Sequence, residues 1–252
     1  MERTTVLGRL TWQIGEVVAT QQETARTKSL TIALPGWPGH QPGQHVDIRL
    51  TAEDGYQAQR SYSIASPPEQ TQQVTLTVER LDDGEVSPYL TDELRIGDKI
   101  ELRGPIGGYF VWQASMGGPI LLLAGGSGIV PLMAMIRHRV AIGSSVPTRL
   151  LYSARTYEDV IYRDELARLA HEHNRLEVIY TLTRAQPPGW TGYSRRLDTA
   201  LLRNIIWPLA QRPLTYICGP TLFVETAAND LLPLGYNAAL IKTERFGPTG
   251  EG

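Results

Sequence analysis

The segment Arg60-Ser61-Tyr62-Ser63-Ile64-Ala65-Ser66 places a guanidinium group, an aromatic ring and three serine hydroxyls within seven residues. A strand that packs one face on a core is expected to alternate apolar and polar side chains. Here Arg60 has the same parity as Tyr62 and Ile64, and packing alone does not explain that arrangement. We therefore predict that this strand contacts a ligand. The alternative is a half-buried strand with an exposed arginine.

A second segment, Gly125-Gly126-Ser127-Gly128-Ile129-Val130-Pro131, directly follows the apolar run 120–124. Glycines after the first strand of an α/β unit let the backbone approach a pyrophosphate, and the N-terminus of the next helix offers free N–H groups. Pro131 suits the first helical turn, where its missing N–H costs nothing. Because the segment lacks the G-x-G-x-x-G spacing, a tight strand-to-helix turn explains it equally well.

Other strand ends in the same half of the chain favour the nucleotide. In an open parallel sheet, ligands bind at the carboxyl ends of the strands. Four further predicted strand ends carry polar or reactive residues, which packing does not explain. They are Ser153-Ala154-Arg155, Thr183-Arg184, Cys218-Gly219-Pro220 and Glu244-Arg245-Phe246.

The elements that must position these residues fall into two groups. Up to about residue 113, short strands separated by Pro, Gly and Asp predict an antiparallel barrel or sandwich with one helical piece around 86–95. Beyond it, apolar runs alternate with amphipathic helices and predict a five-stranded parallel sheet covered on both faces. We therefore expect a β + α/β chain with domains 1–113 and 114–252. The first group has strands 10–19, 29–34, 44–50, 60–65, 73–80 and 99–103; the second has strands 119–124, 149–153, 176–182, 214–218 and 238–242, with helices 129–141, 158–171, 197–207 and 221–234.

Composition excludes several classes of protein. Cys218 is the only cysteine, which excludes an intramolecular disulfide and an iron–sulfur cluster held by several thiolates of this chain. The longest apolar run, 119–124, is too short to span a bilayer, and the N-terminus lacks the apolar core of a signal peptide. We therefore expect a cytoplasmic protein without a membrane partner. His171 and His173, spaced i, i+2, do not share a helix face, so no metal site is predicted.

Charge is distributed unevenly along the chain. Residues 1–113 hold 10 Lys and Arg against 15 Asp and Glu, whereas residues 114–252 hold 14 against 11. A mildly basic second half suits an anionic nucleotide, but it is too weakly charged to predict nucleic-acid binding.

Five motifs, in this order, resemble the ferredoxin–NADP reductase family of flavoproteins. They are RSYSIAS at 60–66, GEVSPYL at 84–90, GGSGIVP at 125–131, CGP at 218–220 and TERFG at 243–247. Their order and spacing cover essentially the whole chain. The resemblance implies a flavin-binding antiparallel Greek-key β-barrel followed by a nicotinamide-nucleotide domain with a five-stranded parallel sheet.

For the flavin, the resemblance implies that Arg60 pairs with a phosphate, to which a guanidinium fork is suited. It implies that Tyr62 packs flat on the isoalloxazine ring and that Ser63 points toward the N5 edge of the ring. Ser87 would meet the flavin pyrophosphate, and its position before Pro88 also predicts a helix N-cap. The remaining flavin-binding candidates are Ser61, Val78 through its backbone, Gly84, Val86 and Phe246, which would pack opposite Tyr62.

For the nicotinamide nucleotide, the resemblance places Gly126, Ser127 and Gly128 at the pyrophosphate. It places Ser153 and Arg155 at the adenosine ribose, where an arginine favours the 2′-phosphate of NADPH over NADH. A surface role for Arg155, or pairing with Glu158 or Asp159, is the alternative. The other nucleotide-binding candidates are Arg163, Arg184, Cys218, Gly219 and Pro220.

The resemblance also implies a catalytic group of Ser63, Cys218 and Glu244 around the nicotinamide. For Cys218 the alternative is an inert buried thiol. The chain departs from some relatives by running on through 247–252 after Phe246, and a fused iron–sulfur module is not expected.

The predicted function is electron transfer from NADPH through bound FAD to a separate protein. FMN is the less favoured flavin. The candidate acceptors are a ferredoxin, a flavodoxin, a haem protein or a molybdenum protein. A free-flavin reductase, and an electron-transfer subunit of a larger oxygenase or molybdoenzyme system, are the alternatives.

Overall fold

The structure is a computed structural model of the chain and describes residues 10–246. Its first half is a six-stranded antiparallel sheet in the order β4-β3-β6-β1-β2-β5. The two outer strands close it into a barrel through a bridge between Ile64 and Leu76, next to a 2.7 Å hydrogen bond from the amide of Ala65 to the carbonyl of Thr75. The strands are β1 (Gln13–Thr24), β2 (Thr27–Ala33), β3 (His45–Thr51), β4 (Gln57–Ser63), β5 (Gln73–Glu79) and β6 (Lys99–Ile106).

The side chains along the barrel strands alternate between the inside and the outside, and the inward apolar ones form the core of the barrel. In β5 the side chains of Val74, Leu76 and Val78 are fully buried, while Thr75 and Thr77 point to the outer face. This two-residue period is what a strand with one face on a core requires. A helical piece lies at residues 87–93, within the range predicted around 86–95, and its last five residues, Tyr89–Glu93, are π-helical.

The second half is a five-stranded parallel sheet in the order β11-β10-β7-β8-β9. Strand β7 is apolar and buried throughout, because it lies at the centre and helices cover both faces. The two halves together confirm the predicted fold class. No helix within residues 10–246 is long and apolar enough to cross a membrane. The strands are β7 (Ile120–Gly125), β8 (Thr148–Ala154), β9 (Leu176–Leu182), β10 (Leu214–Pro220) and β11 (Ile241–Phe246), and the helices are α1 (Ile129–Ala141), α2 (Arg163–Glu172), α3 (Thr199–Ile205) and α4 (Thr221–Leu231).

Several element boundaries differ from the sequence predictions, and three of these differences have a local reason. Strand β1 continues through the polar residues 20–24, because they pair with β2 across a tight hairpin. Helix α2 begins only at Arg163, since Asp159 accepts a 3.1 Å hydrogen bond from the amide of Thr156 and holds a turn there. Strand β11 begins at Ile241, because Asn237 caps a short 3-10 turn before it.

One partly buried arginine joins the two halves. Arg137 of α1 donates a 2.8 Å hydrogen bond to the carbonyl of Ala65, at the end of the RSYSIAS segment. Glu165 of α2 orients it through two hydrogen bonds of 2.9 and 2.6 Å, and its guanidinium lies 4.6 Å from the ring centre of Tyr162. The hydroxyl of Tyr162 in turn donates to Thr77 of the barrel. Residues of the second half thus hold the barrel by directional contacts that are buried at Tyr162 and partly buried at Arg137.

A second set of contacts converges on one carbonyl. The Val111 carbonyl accepts hydrogen bonds from the hydroxyl of Tyr216, at 2.8 Å, and from the ammonium group of Lys242, at 3.1 Å. Tyr109 donates from its hydroxyl to the Ile241 carbonyl at 3.2 Å. Strands β10 and β11 are therefore tied to the segment that leaves the barrel.

We expect Arg137→Met to lower the free energy of unfolding by about 3 kcal/mol, because it leaves the Glu165 carboxylate without its partner in a region of low exposure. The side chains of Arg137 and Glu165 are 19% and 29% exposed. Urea-induced unfolding followed by circular dichroism measures the change.

The matched control is Arg168→Met on α2, the helix that also contains Glu165. Arg168 pairs with Glu172 at 2.7 Å, but both side chains are about half exposed. Such a pair contributes about 0.5 kcal/mol or less. Equal effects of the two substitutions would contradict a structural role for the Arg137 contacts.

Candidate functional site

The inward face of β4 is partly uncovered at the edge of the barrel. Register places Tyr62 opposite Val46 and Arg60 opposite Ile48, and directly opposite residues share a face. Val46 and Ile48 are fully buried, whereas Arg60 is exposed and Tyr62 is half-buried. Two positions on the core-facing side of β4 are therefore less covered than their partners on β3, although Tyr62 still packs in part against the barrel core.

Tyr62 and Ser61 point to opposite faces of the strand. Burial raises the pKa of Tyr62 to about 12, so its phenol stays protonated at neutral pH. The hydroxyl of Ser61 donates at 2.6 Å to the buried Asp47, which also pairs with Arg103 at 3.0 Å. Only the backbone of Ser61 is left for a ligand on the Tyr62 face.

Ser63, Glu244 and Cys218 come together where the barrel meets the parallel sheet. The Ser63 hydroxyl donates a 3.4 Å hydrogen bond to the Glu244 carboxyl group, although 181 residues separate them. Cys218 is the register partner of Glu244 between β10 and β11. The three residues predicted to be catalytic are thus brought to one place by three different strand ends.

Burial controls the protonation of this group. It raises the pKa of Glu244 to about 7, against a smaller opposing effect of the Ser63 hydrogen bond. Burial also raises the pKa of the Cys218 thiol, and the neighbouring Glu244 carboxylate raises it further. At neutral pH Glu244 can therefore hold or release a proton, while Cys218 remains a neutral thiol.

The glycine loop lies against the end of β10. A β-carbon on Gly128 would lie 2.1 Å from the carbonyl oxygen of Cys218, so only glycine permits this approach. Gly126 has a φ of +54°, and no atom lies within 4 Å of a β-carbon built on it. Beyond the loop, α1 begins at Ile129 and contains Pro131 in its first turn, as predicted. Open backbone followed by a helix N-terminus suits an anionic group.

Two arginines lie exposed at the carboxyl ends of β8 and β9. The Arg184 amide donates a 2.9 Å hydrogen bond to the Arg155 carbonyl, which holds the two segments side by side. Within residues 10–246 neither side chain forms an ion pair, so the alternative pairing of Arg155 with Glu158 or Asp159 is not seen there. Ser153 is half-buried beside Gly125, its register partner.

Arg163 and the residues after β10 complete the predicted nucleotide side. Arg163 lies over the Tyr157 ring at 5.0 Å and pairs with its neighbour Asp164 at 3.2 Å, so it is less free than the other two arginines. Gly219 is buried against the backbone of Gly125, and the exposed Pro220 precedes α4.

The predicted N-cap role of Ser87 is wrong. Its hydroxyl accepts a 3.0 Å hydrogen bond from the Leu81 amide, and the short turn that follows has no side-chain cap. The reason is that the 81–87 loop folds back on itself: a β-carbon on Gly84 would lie 2.9 Å from the Ser87 hydroxyl. Val86 and Val78 bury their side chains in the barrel core, which leaves only their backbones for a ligand.

Phe246 is the last described residue. It is half-buried, pairs in register with Pro220 and packs on the core of the parallel sheet. Its position opposite Tyr62 across a flavin stays a prediction, and the tail 247–252 lies outside the described residues.

Sequence reasoning missed two residues at this site. Arg137 looks like an ordinary surface residue of an amphipathic helix, but it fixes the end of the RSYSIAS segment. Glu85 pairs with Arg60 at 2.9 Å and accepts a 2.8 Å hydrogen bond from the hydroxyl of Tyr56. An acid inside the GEVS motif, next to a predicted phosphate site, was the available signal for Glu85.

Comparison with known proteins identifies the family. Residues 15–111 match the oxidoreductase FAD-binding domain, and residues 122–229 match the oxidoreductase NAD-binding domain. NADH-cytochrome b5 reductase 1 of Aspergillus terreus is 32% identical over 204 residues, which cover 78% of this chain and 68% of that protein. The chain belongs to the ferredoxin–NADP reductase family, whose two domains bind FAD and a nicotinamide nucleotide.

Two further proteins show how much of the chain is shared with a relative in sequence and with a solved structure in fold. The glycine betaine monooxygenase reductase subunit of Chromohalobacter salexigens is 31% identical over 210 residues, covering 82% of this chain but 56% of that protein. The chain therefore spans little more than half of this relative. The FAD/NAD-binding domain of nitric oxide dioxygenase from Vibrio cholerae shares the fold, with a TM-score of 0.84, 24% identity, and coverage of 94% of this chain and 99% of that one.

The raised pKa of Glu244 predicts how stability changes with pH. Between about pH 4.5 and about pH 7 the folded chain holds a proton that the unfolded chain has lost, so the contribution of Glu244 to stability falls as the pH rises through this window. Glu244→Gln should remove this component. Urea midpoints measured from pH 4 to pH 8 test the prediction.

Glu225→Gln serves as the control, because Glu225 pairs with Arg245 in an exposed position. The wild type and this variant should lose the same amount of stability across the window. An unchanged pH profile in Glu244→Gln would mean that Glu244 titrates as an ordinary exposed acid.

Proposed function

We propose that this protein is a reductase that takes electrons from NADPH and passes them through bound FAD to a separate protein. The observation that carries the proposal is the meeting of Ser63, Cys218 and Glu244 at the junction of an FAD-binding and an NAD-binding domain. FAD supplies a group that accepts two electrons together and can release them singly. The chain supplies binding, orientation and control of protons. We place the boundary between its two functional domains at residue 113.

On the flavin side, we assign the phosphate to Arg60 and the ring face to Tyr62. The partly uncovered inward face of β4 fits a planar ring of this kind. Ser63 then lies at the edge of the ring closest to the parallel sheet. Gly84, Val86 and Ser87 offer backbone atoms of the 81–87 loop, Val78 offers its backbone from β5, and Phe246 offers a second aromatic face.

On the nucleotide side, we assign the pyrophosphate to Gly126, Ser127 and Gly128. Gly219 and Pro220 line the approach to the nicotinamide, and Cys218 gives it a neutral, dehydrated contact. Glu244 would help to hold the nicotinamide or relay a proton, since its pKa lies close to neutral.

The preference for NADPH rests on Arg155 and Arg184, with Ser153 beside them. Their guanidinium groups are exposed and pair with no carboxylate of residues 10–246, which suits a 2′-phosphate. Arg163 is the third candidate in this region. One relative is named for NADH, so the preference depends on the arginines of this chain and not on kinship.

For the electron acceptor, we favour a separate protein of an oxygenase system. A relative is named as the reductase subunit of a monooxygenase, which supports this choice over a free-flavin reductase. A ferredoxin, flavodoxin, haem or molybdenum protein remains the class of partner, and we propose the cytoplasm as the location because the sequence contains a single cysteine.

The first test is an absorbance spectrum followed by anaerobic titration with NADPH and with NADH. We expect flavin bands that bleach rapidly with NADPH and slowly with NADH. Equal bleaching by both would contradict the NADPH preference alone. A protein that retains neither FAD nor FMN would contradict the proposed flavin site.

Arg155→Gln tests the nucleotide preference directly. Loss of one charged hydrogen-bond donor to phosphate costs about 1.5–3 kcal/mol, so the Kd for NADPH should rise about 10- to 150-fold while the Kd for NADH stays unchanged. Arg168→Gln, on the exposed face of α2, is the matched control. A similar loss for both nucleotides would contradict a role at the 2′-phosphate.

A further inference from the structure

Glu85 shares the guanidinium group that we assign to the flavin phosphate. Its carboxylate lies 2.9 Å from the guanidinium of Arg60, which also donates at 2.7 Å to the Gln59 carbonyl. Tyr56 donates from its hydroxyl to the other carboxylate oxygen of Glu85 at 2.8 Å. Arg60 and Glu85 are about half exposed. A phosphate bound by Arg60 must therefore share this cation with Glu85 or displace it.

The other charges of the 81–87 loop do not relieve this competition. Asp82 is already paired, with Arg26 at 2.9 Å and with Arg80. Asp83 is exposed and has no ion-pair partner within residues 10–246. The loop from Leu81 to Ser87 contains three acids and no base. Within it, Glu85 is the acid that contacts Arg60.

The two common flavin cofactors differ in the charge of their phosphates. FMN ends in a phosphate monoester whose second pKa is about 6, so at neutral pH it carries nearly two negative charges on one phosphorus. FAD carries a diphosphate diester with one negative charge on each phosphorus. A fixed carboxylate beside the phosphate site repels the terminal dianion more strongly than the diester.

We propose that Glu85 makes this protein select FAD over FMN, by sharing Arg60 with the flavin phosphate and repelling a terminal phosphate dianion. The inference rests on the proposed flavin site and adds to it the residue that discriminates between the two cofactors. Tyr56 has a supporting role, since its hydrogen bond holds the Glu85 carboxylate in place.

The experiment compares the Kd of the full chain for FAD, FMN and riboflavin, measured by quenching of flavin fluorescence in the wild type and in Glu85→Gln. An exposed pair of unit charges contributes about 0.2–1 kcal/mol. Glu85→Gln should therefore tighten FAD about 1.4- to 5-fold. It should tighten FMN about 2- to 25-fold, since the interaction is roughly doubled. Riboflavin has no phosphate, so its Kd should not change.

Two further variants separate the possible outcomes. Asp83→Asn removes the same charge from the same loop without touching Arg60, and the ratio of the Kd values for FMN and FAD should stay as in the wild type. Arg60→Met should weaken both phosphate-bearing flavins and leave riboflavin unchanged, which tests the proposed flavin site itself.

An unchanged ratio of Kd values in Glu85→Gln, or an equal gain for riboflavin, would overturn the inference and leave the flavin site standing. The same ratio change in Asp83→Asn would also overturn it, because the effect would then belong to the loop and not to Glu85. Failure of the wild type to bind any flavin, or full FAD affinity in Arg60→Met, would overturn the proposed flavin site and the inference with it.

Discussion

The proposed site depends on a contact between two sheets that share no strand. The antiparallel barrel and the parallel sheet must be held in a fixed relative position for Ser63 of one to contact Glu244 of the other. The Ser63 hydroxyl and the Glu244 carboxyl group lie 3.4 Å apart at the ends of β4 and β11. Each strand has its own register, set by Val46 opposite Tyr62 in the barrel and by Cys218 opposite Glu244 in the parallel sheet. The relative position of the sheets depends on hydrogen bonds between the two halves, such as the partly buried one from Arg137 to the carbonyl of Ala65.

Burial at this junction also determines the protonation states of Glu244 and Cys218. A carboxyl group in a region of low dielectric constant is more easily kept protonated, and Glu244 accordingly titrates near neutrality. Cys218 stays neutral for the same reason. Arg137 remains charged in a partly buried place because Glu165 and a backbone carbonyl satisfy its donors.

The periodicity of hydrophobic residues made most of the fold predictable from the sequence. Most of the features that the sequence did not predict depend on contacts between residues that are far apart in the chain. The alternation of buried and outward side chains in β5 is a local signal of a strand with one face on the core. The continuous apolar run of β7 is a local signal of a strand covered on both faces. The polar end of β1 forms strand only because β2 returns beside it, which no hydrophobic pattern reveals. At the site, five motifs predicted the cofactor-binding segments, and the family models match the two domains that contain most of them. The hydrogen-bond and ion-pair partners of Ser87, Arg60 and Arg137 depend on how the chain folds back on itself. Local sequence rules therefore predicted a cap at Ser87 that does not form, and they overlooked Glu85.

The strand order of the parallel sheet has a consequence for how the chain folds as it is synthesised. All six barrel strands precede residue 107, so the barrel can form first, as N-terminal domains generally do. Strand β7 lies between β8 and β10, so the parallel sheet can be completed only after β10 and then β11 have been synthesised. Glu244 lies on the last strand to arrive. A growing chain thus presents β4, to which we assign the flavin, well before it has the residue that completes the junction, and on this assignment the barrel can bind flavin before the nucleotide side exists.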